Sequence, residues 1–167
     1  MTREGILRRL FAPRGEIAGT VYGTIVVMGA LVAGSKGEAD PARLGAIVTG
    51  TVLVLWVAHV YSHALGETIT RGRRMDREEL IDVARRELAI PLAAVAPLAV
   101  LVLGALGVLR ETTAIWIALL IGLVTLAVGG LAYARIERLG GGGTLAVVAV
   151  NLAFGLVLVG LKAALVH

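Results

Sequence analysis

Five long apolar runs divide the chain: Ile17–Ala33, Leu44–Leu65, Ile90–Leu109, Thr113–Ala134 and Thr144–Val166. They are 17 to 23 residues long and continuous rather than alternating. A helix needs roughly 20 apolar residues to cross a hydrocarbon core, whereas a barrel strand needs about half that number and alternates. Backbone polar groups in lipid must be satisfied within the segment, so the runs predict five transmembrane helices. The punctuation between them agrees. Gly34 to Pro41 predicts a turn, Arg110-Glu111-Thr112 a very short one, and Gly140 to Gly143 a flexible joint before the last helix. Pro91 suits the start of the third helix, and Pro97 should kink it.

Composition turns this pattern into a class. Hydrophobic residues make up 57 % of 167 positions and charged ones 17 %, and mean hydropathy is +0.88. These values exclude a disordered chain and an ordinary soluble enzyme. The absence of cysteine excludes disulfides, thiolate metal sites and iron–sulfur clusters. The expectation is an all-α, polytopic membrane helix bundle, a single domain over residues 1–167. The basic stretch Met1 to Arg14 precedes the first run with no small-residue cleavage site after it, which predicts an uncleaved anchor.

Charge sets the orientation. Arg3, Arg8, Arg9, Arg14, Arg71, Arg73, Arg74, Arg77, Arg85, Arg86, Arg135 and Arg138 fall on the side of the N-terminus. Lys36, Arg43, Arg110 and Lys162 fall on the other, so twelve of the 16 cations lie on one side. Cytoplasmic loops carry the excess of Lys and Arg, so the N-terminus is expected inside and the C-terminus outside, in a plasma membrane by default. The net charge of +4 then reflects orientation and anionic headgroups, with no nucleic-acid partner implied.

Residues 68–89 form the one substantial polar segment between runs, on the cytoplasmic side. Met75, Leu80, Ala84 and Leu88 recur at helical spacing and predict an amphipathic surface helix. Arg74–Glu78 and Asp82–Arg86 are spaced to pair along it. The segment reads either as a solvated connector or as a collecting point where Glu78, Glu79, Asp82 and Glu87 gather a cation.

The second run carries the candidate chemistry: Trp56, His59, Tyr61, His63 and Glu67. His59, His63 and Glu67 follow one another at four-residue intervals along one helical face. Two imidazoles and a carboxylate so spaced suit a divalent transition metal, and the same row suits proton transfer because histidine titrates near neutral pH. The alternative is that these groups hydrogen-bond to neighbouring helices and hold the bundle together. Gly15, Gly19 and Gly23 predict a close helix contact, within the chain or in a homodimer, and Asn151 an interhelical hydrogen bond. No phosphate-binding loop, serine elbow or HExxH sequence is present, so no enzymatic activity is expected.

The run Ser62-His63-Ala64-Leu65-Gly66-Glu67 resembles a signature of the vacuolar iron transporter family, Ser-Met-Ala-x-Gly-Glu, with His63 at the methionine position. The first run, ending Leu31-Val32-Ala33-Gly34, and the five-span layout are also similar to that family. The resemblance implies a homodimer that moves a divalent transition metal ion (iron, manganese or zinc), exchanged for protons. By their own spacing and chemistry His59, His63 and Glu67, with Glu79 and Asp82 of the polar segment, are the candidate metal-handling residues. Tyr22 stands where the family carries an aspartate before Gly23, and Met75 is the single methionine of a shortened cytoplasmic segment.

The orientation has a direct check. A cysteine placed at His167 should react with an impermeant reagent added outside intact cells, and one at Thr70 should not. The reverse pattern would overturn N-in, C-out.

Overall fold

The computed structural model describes residues 14–35 and 40–165. Arg3, Arg8, Arg9, Lys36, Val166 and His167, used in the expectations above, lie outside them. Every regular element among the described residues is an α-helix. They are α1 (Arg14–Gly34), α2 (Pro41–Arg71), α3 (Arg77–Arg86), α4 (Ala89–Leu92), α5 (Val95–Ala105), α6 (Glu111–Ile136) and α7 (Gly141–Leu165). Four of them, α1, α2, α6 and α7, are each long and apolar enough to cross a membrane. A fifth crossing is available only if the bent rod α3–α4–α5 is counted as one span.

That rod corrects the expected single helix Ile90–Leu109. Proline has no amide hydrogen, and its ring collides with the carbonyl four residues earlier. For Pro91 that residue is Glu87, and for Pro97 it is Ala93; these are the two residues at which α3 and α4 end. The backbone stays right-handed at Leu88, Ala93 and Ala94, so the chain bends rather than stops. Its axis turns by 47° between Arg77–Leu92 and Val95–Ala105. Pro97 therefore acts as expected, but the break falls one turn before it. Pro91 lies inside the rod and does not start it.

Other boundaries also shift. α2 begins where Asp40 accepts a 2.8 Å hydrogen bond from the Ala42 amide, with Pro41 in the first turn. It runs on to Arg71 and ends at Gly72, whose φ of 64° suits a residue without Cβ. The turn after α5 is not Arg110-Glu111-Thr112 but Leu106 to Arg110, closed by Val108 N–H on the Leu103 carbonyl and Gly107 N–H on that of Gly104. The expected four-glycine joint is instead Glu137 to Gly140, because Gly141 to Gly143 already belong to α7. The first turn of a helix makes few intrahelical amide bonds, so weak helix formers cost least there.

The first helix is the centre of the bundle, touching α2, α4, α6 and α7. Val27, Met28 and Leu31 are fully buried. Met28 fits because Gly122 and Gly155 have no side chain; a Cβ on Gly122 would lie 2.6 Å from its sulfur. Thr20 and Thr24 return their hydroxyls to the carbonyls of Glu16 and Thr20, each at 2.7 Å, so neither needs a partner from another helix. Asn151 does not form the expected interhelical hydrogen bond among the described residues; its amide packs against Gly130 instead. Lys162, counted above as an outer cation, is buried and donates from Nζ to the Ser35 carbonyl at 2.8 Å.

The glycine stripe of α1 makes the expected close contact, and makes it within the chain. A Cβ on Gly23 would lie 2.6 Å from the Ile90 carbonyl oxygen and 3.1 Å from Ala93 Cβ, and one on Gly19 would lie 3.0 Å from Ala89 Cβ. Gly29 meets nothing within 4 Å. Gly23→Ala should therefore destabilise the bundle by roughly 1–3 kcal/mol through overpacking. Gly29→Ala should be neutral or stabilising by up to about 1 kcal/mol from helix propensity. Thermal melts in detergent compare the two, and equal shifts would refute the contact.

Candidate functional site

The contact between α1 and α4 places the last residue of the polar segment beside the histidines of α2. Glu87, where α3 ends, points an oxygen at His63 Nδ1 over 2.7 Å. The Glu87 side chain is mostly buried at 15 % exposure, while that of His63 is 59 % exposed. One turn earlier, His59 Nδ1 lies 3.2 Å from the Leu55 carbonyl. A carbonyl only accepts, so Nδ1 of His59 carries the hydrogen and Nε2 is left as the acceptor. The Tyr22 ring of α1 sits on His59 with centroids 4.8 Å apart, and the two imidazoles are 6.5 Å apart, edge to face.

Two cavities meet at this pair. One, of about 650 Å³, lies between the end of α2 and α3 and is lined by Ser62, His63, Glu67, Thr70, Arg71, Arg86 and Glu87 among others. The other, of about 330 Å³, lies between α1, α2 and α4 and is lined by Gly19, Tyr22, His59, His63, Glu87 and Ile90. His63 and Glu87 belong to both walls. The row Tyr22, His59, His63, Glu87 therefore connects a cavity at the polar end with a second open one between α1, α2 and α4.

The remaining candidates go elsewhere. Glu67 pairs with Arg71 at 2.8 Å, and Arg71 also reaches Glu79 at 2.9 Å. Glu79 further holds Arg73 and closes a reciprocal cap with Asp76 at the start of α3. Asp82 is exposed, 3.9 Å from Arg85. The expected pairs Arg74–Glu78 and Asp82–Arg86 are replaced by these. Among the described residues, no three His, Asp or Glu side chains converge closely enough to hold one metal ion. Sequence spacing put His63 next to Glu67 on one face, but the carboxylate that reaches His63 is Glu87. That partner has no local signature, because it comes from the far end of α3, which folds back along α2. Trp56 adds a second tie, its indole N–H donating to the Ala84 carbonyl at 3.2 Å and fixing α3 against α2.

The cluster at Glu79 has a pH consequence. The hydrogen bond from Arg73, then that from the Asp76 amide, lower the Glu79 carboxyl below its ordinary value of 4.5, and the same hydrogen bond raises Arg73. A lowered carboxyl contributes stability that is present above the ordinary value and lost as pH falls through the lowered one. With Trp116→Phe isolating Trp56, the Trp56 emission should shift as α3 loosens below pH 4.5. Glu79→Gln should weaken that acid transition, and an identical transition in both proteins would refute the assignment.

Comparison with protein families, with curated proteins and with solved structures finds no match for this chain, and the functional reading rests on the side chains themselves.

Proposed function

We propose that this chain is a small five-span membrane protein, N-terminus inside and C-terminus outside in a plasma membrane, that moves protons or a cation exchanged for them. The carrying observation is the His63–Glu87 pair, 2.7 Å across and shared by two cavities. Ionisable groups at membrane depth are costly and usually serve a pathway. The route is along the seam between α1, α2 and α4. A proton arriving at His63 Nε2 releases the one on Nδ1 to Glu87, which leaves a neutral imidazole with its hydrogen on Nε2. Loss of the Glu87 proton to water in the larger cavity, with reorientation of the ring, restores the start.

A divalent transition metal is the second cargo, favoured by the unengaged Nε2 atoms of His59 and His63, which lie on neighbouring turns of α2. Kinship with the vacuolar iron transporters is part of this second reading and is carried by Ser62 to Glu67. A homodimer belongs to the proposal as well. It requires a face other than the Gly19–Gly23 stripe, which α4 occupies.

Flux into vesicles containing the purified protein and a pH-sensitive dye tests the proposal. His63→Ala and Glu87→Gln should each lower proton flux by about tenfold or more, and Asp82→Asn should leave it unchanged. Flux that appears only with added iron, manganese or zinc would favour the metal. If the protein conducts neither, or both variants match wild type, the histidines serve helix packing and the proposal fails.

A further inference from the structure

The charged helix α3 sorts its side chains in three directions. Successive residues of a helix are turned by about 100°. On that wheel Glu79, Val83 and Glu87 share the arc facing the bundle; Val83 is buried and the two carboxylates are held by Arg73 and His63. The adjoining arc, about 100° wide, is apolar and carries Leu80, Ile81, Ala84 and Leu88. Leu80, Ile81 and Leu88 stay 40 to 43 % exposed. This stripe continues through Leu92 and, past the bend, into Val95, exposed by 63 % and 58 %.

Charge follows the same sorting. Arg77 lies at the head of the apolar arc and Arg85 at its edge, beside Ile81. The acidic residues not already engaged by the bundle, Glu78 and Asp82, lie more than about 100° from the centre of that arc. Among the described residues Arg77 has no ion-pair partner, and Arg85 has a single 3.9 Å contact with Asp82 between two well-exposed side chains. Arg77 thus lies on the axis of the strip of exposed leucine and isoleucine and Arg85 at its border, with Glu78 just beyond Arg85 and Asp82 further round. An apolar strip carrying arginine at its head and border matches an anionic lipid surface and mismatches water.

We propose that α3 forms the interfacial entry of the bent span α3–α4–α5 at the cytoplasmic leaflet, with Leu80, Ile81 and Leu88 at the acyl border and Arg77 and Arg85 on anionic phospholipid headgroups. This seat holds Glu87 against His63. Lipid charge then regulates the pair to which the proposed proton movement is assigned, so the inference rests on that reading for its consequence but not for the seat itself. Each arginine near an anionic surface contributes a modest electrostatic attraction that salt screens.

The chain has no cysteine, so a fluorophore can be placed at Ile81→Cys alone, with Asp82→Cys as the outward-facing comparison. The protein is reconstituted into vesicles of phosphatidylcholine, or of phosphatidylcholine with one-third phosphatidylglycerol, and acrylamide quenching is read. The fluorophore at position 81 should be better shielded in the phosphatidylglycerol vesicles, and high salt should remove the difference. The one at position 82 should stay accessible in both. Arg77→Gln with Arg85→Gln should shift the ratio of seated to unseated α3 by roughly 30-fold, as expected for two headgroup contacts. Should the double variant fold poorly, the salt dependence of the unsubstituted arginines tests the same contact. Equal shielding in the two lipids, or a lipid effect that survives in the well-folded double variant, overturns the seat. Absence of flux with lipid-dependent shielding intact would overturn the proton reading and leave the seat standing.

Discussion

The approach of Gly23 to the Ile90 carbonyl sets the positions of everything around it. Any side chain at Gly23 would occupy the space of the α4 backbone. That backbone is there because proline prevents a straight helix: the chain bends between Leu92 and Val95 and presents its inner side to α1. Close packing between small residues is the main force available to helices in lipid, where apolar surface gains little from leaving the solvent. The contact therefore serves both stability and geometry. It brings the end of α3 under α2, and Glu87 meets His63 as a result.

The helical class was legible because it depends on local arithmetic. Four of the five apolar runs reappear as α1, α2, α6 and α7 with ends moved by a few residues, as expected when boundaries depend on caps rather than hydropathy. The third run was misjudged because Pro91 looks like a helix start in isolation. The residues before it, Asp76 to Arg86, carry their own capping box and extend the rod backward. The candidate histidines were found by type and spacing, while their partner was not. A carboxylate from the far end of α3 reaches them because that helix folds back along α2, which no single position states. The arginine-rich segment misled in the same way: its i,i+4 spacings suggested pairs along one helix, but Arg71 and Arg73 cross from the end of α2 and the turn to Glu79.

Neutralisation of carboxylates by guanidinium groups also shapes the chemistry available. Glu67 and Glu79 would be natural metal ligands, yet each already has an arginine within 3 Å. Among the described residues, the carboxylate that faces an imidazole is Glu87. One carboxylate and two imidazoles stand here in a row, whereas a metal asks for several donors converging on one point.

The opposite end of the bundle is built differently. There the Lys162 ammonium is buried and donates to the Ser35 carbonyl just past α1, so separating α1 from α7 would leave a cation without its acceptor in an apolar surrounding. The polar end has a bent rod, two cavities and exposed ion pairs; the far end has a buried strap. Tied to α7 at its Ser35 end, α1 cannot slide along its own axis without breaking that bond, which keeps Tyr22 and Gly23 in step with His59 and Ile90 at the other end.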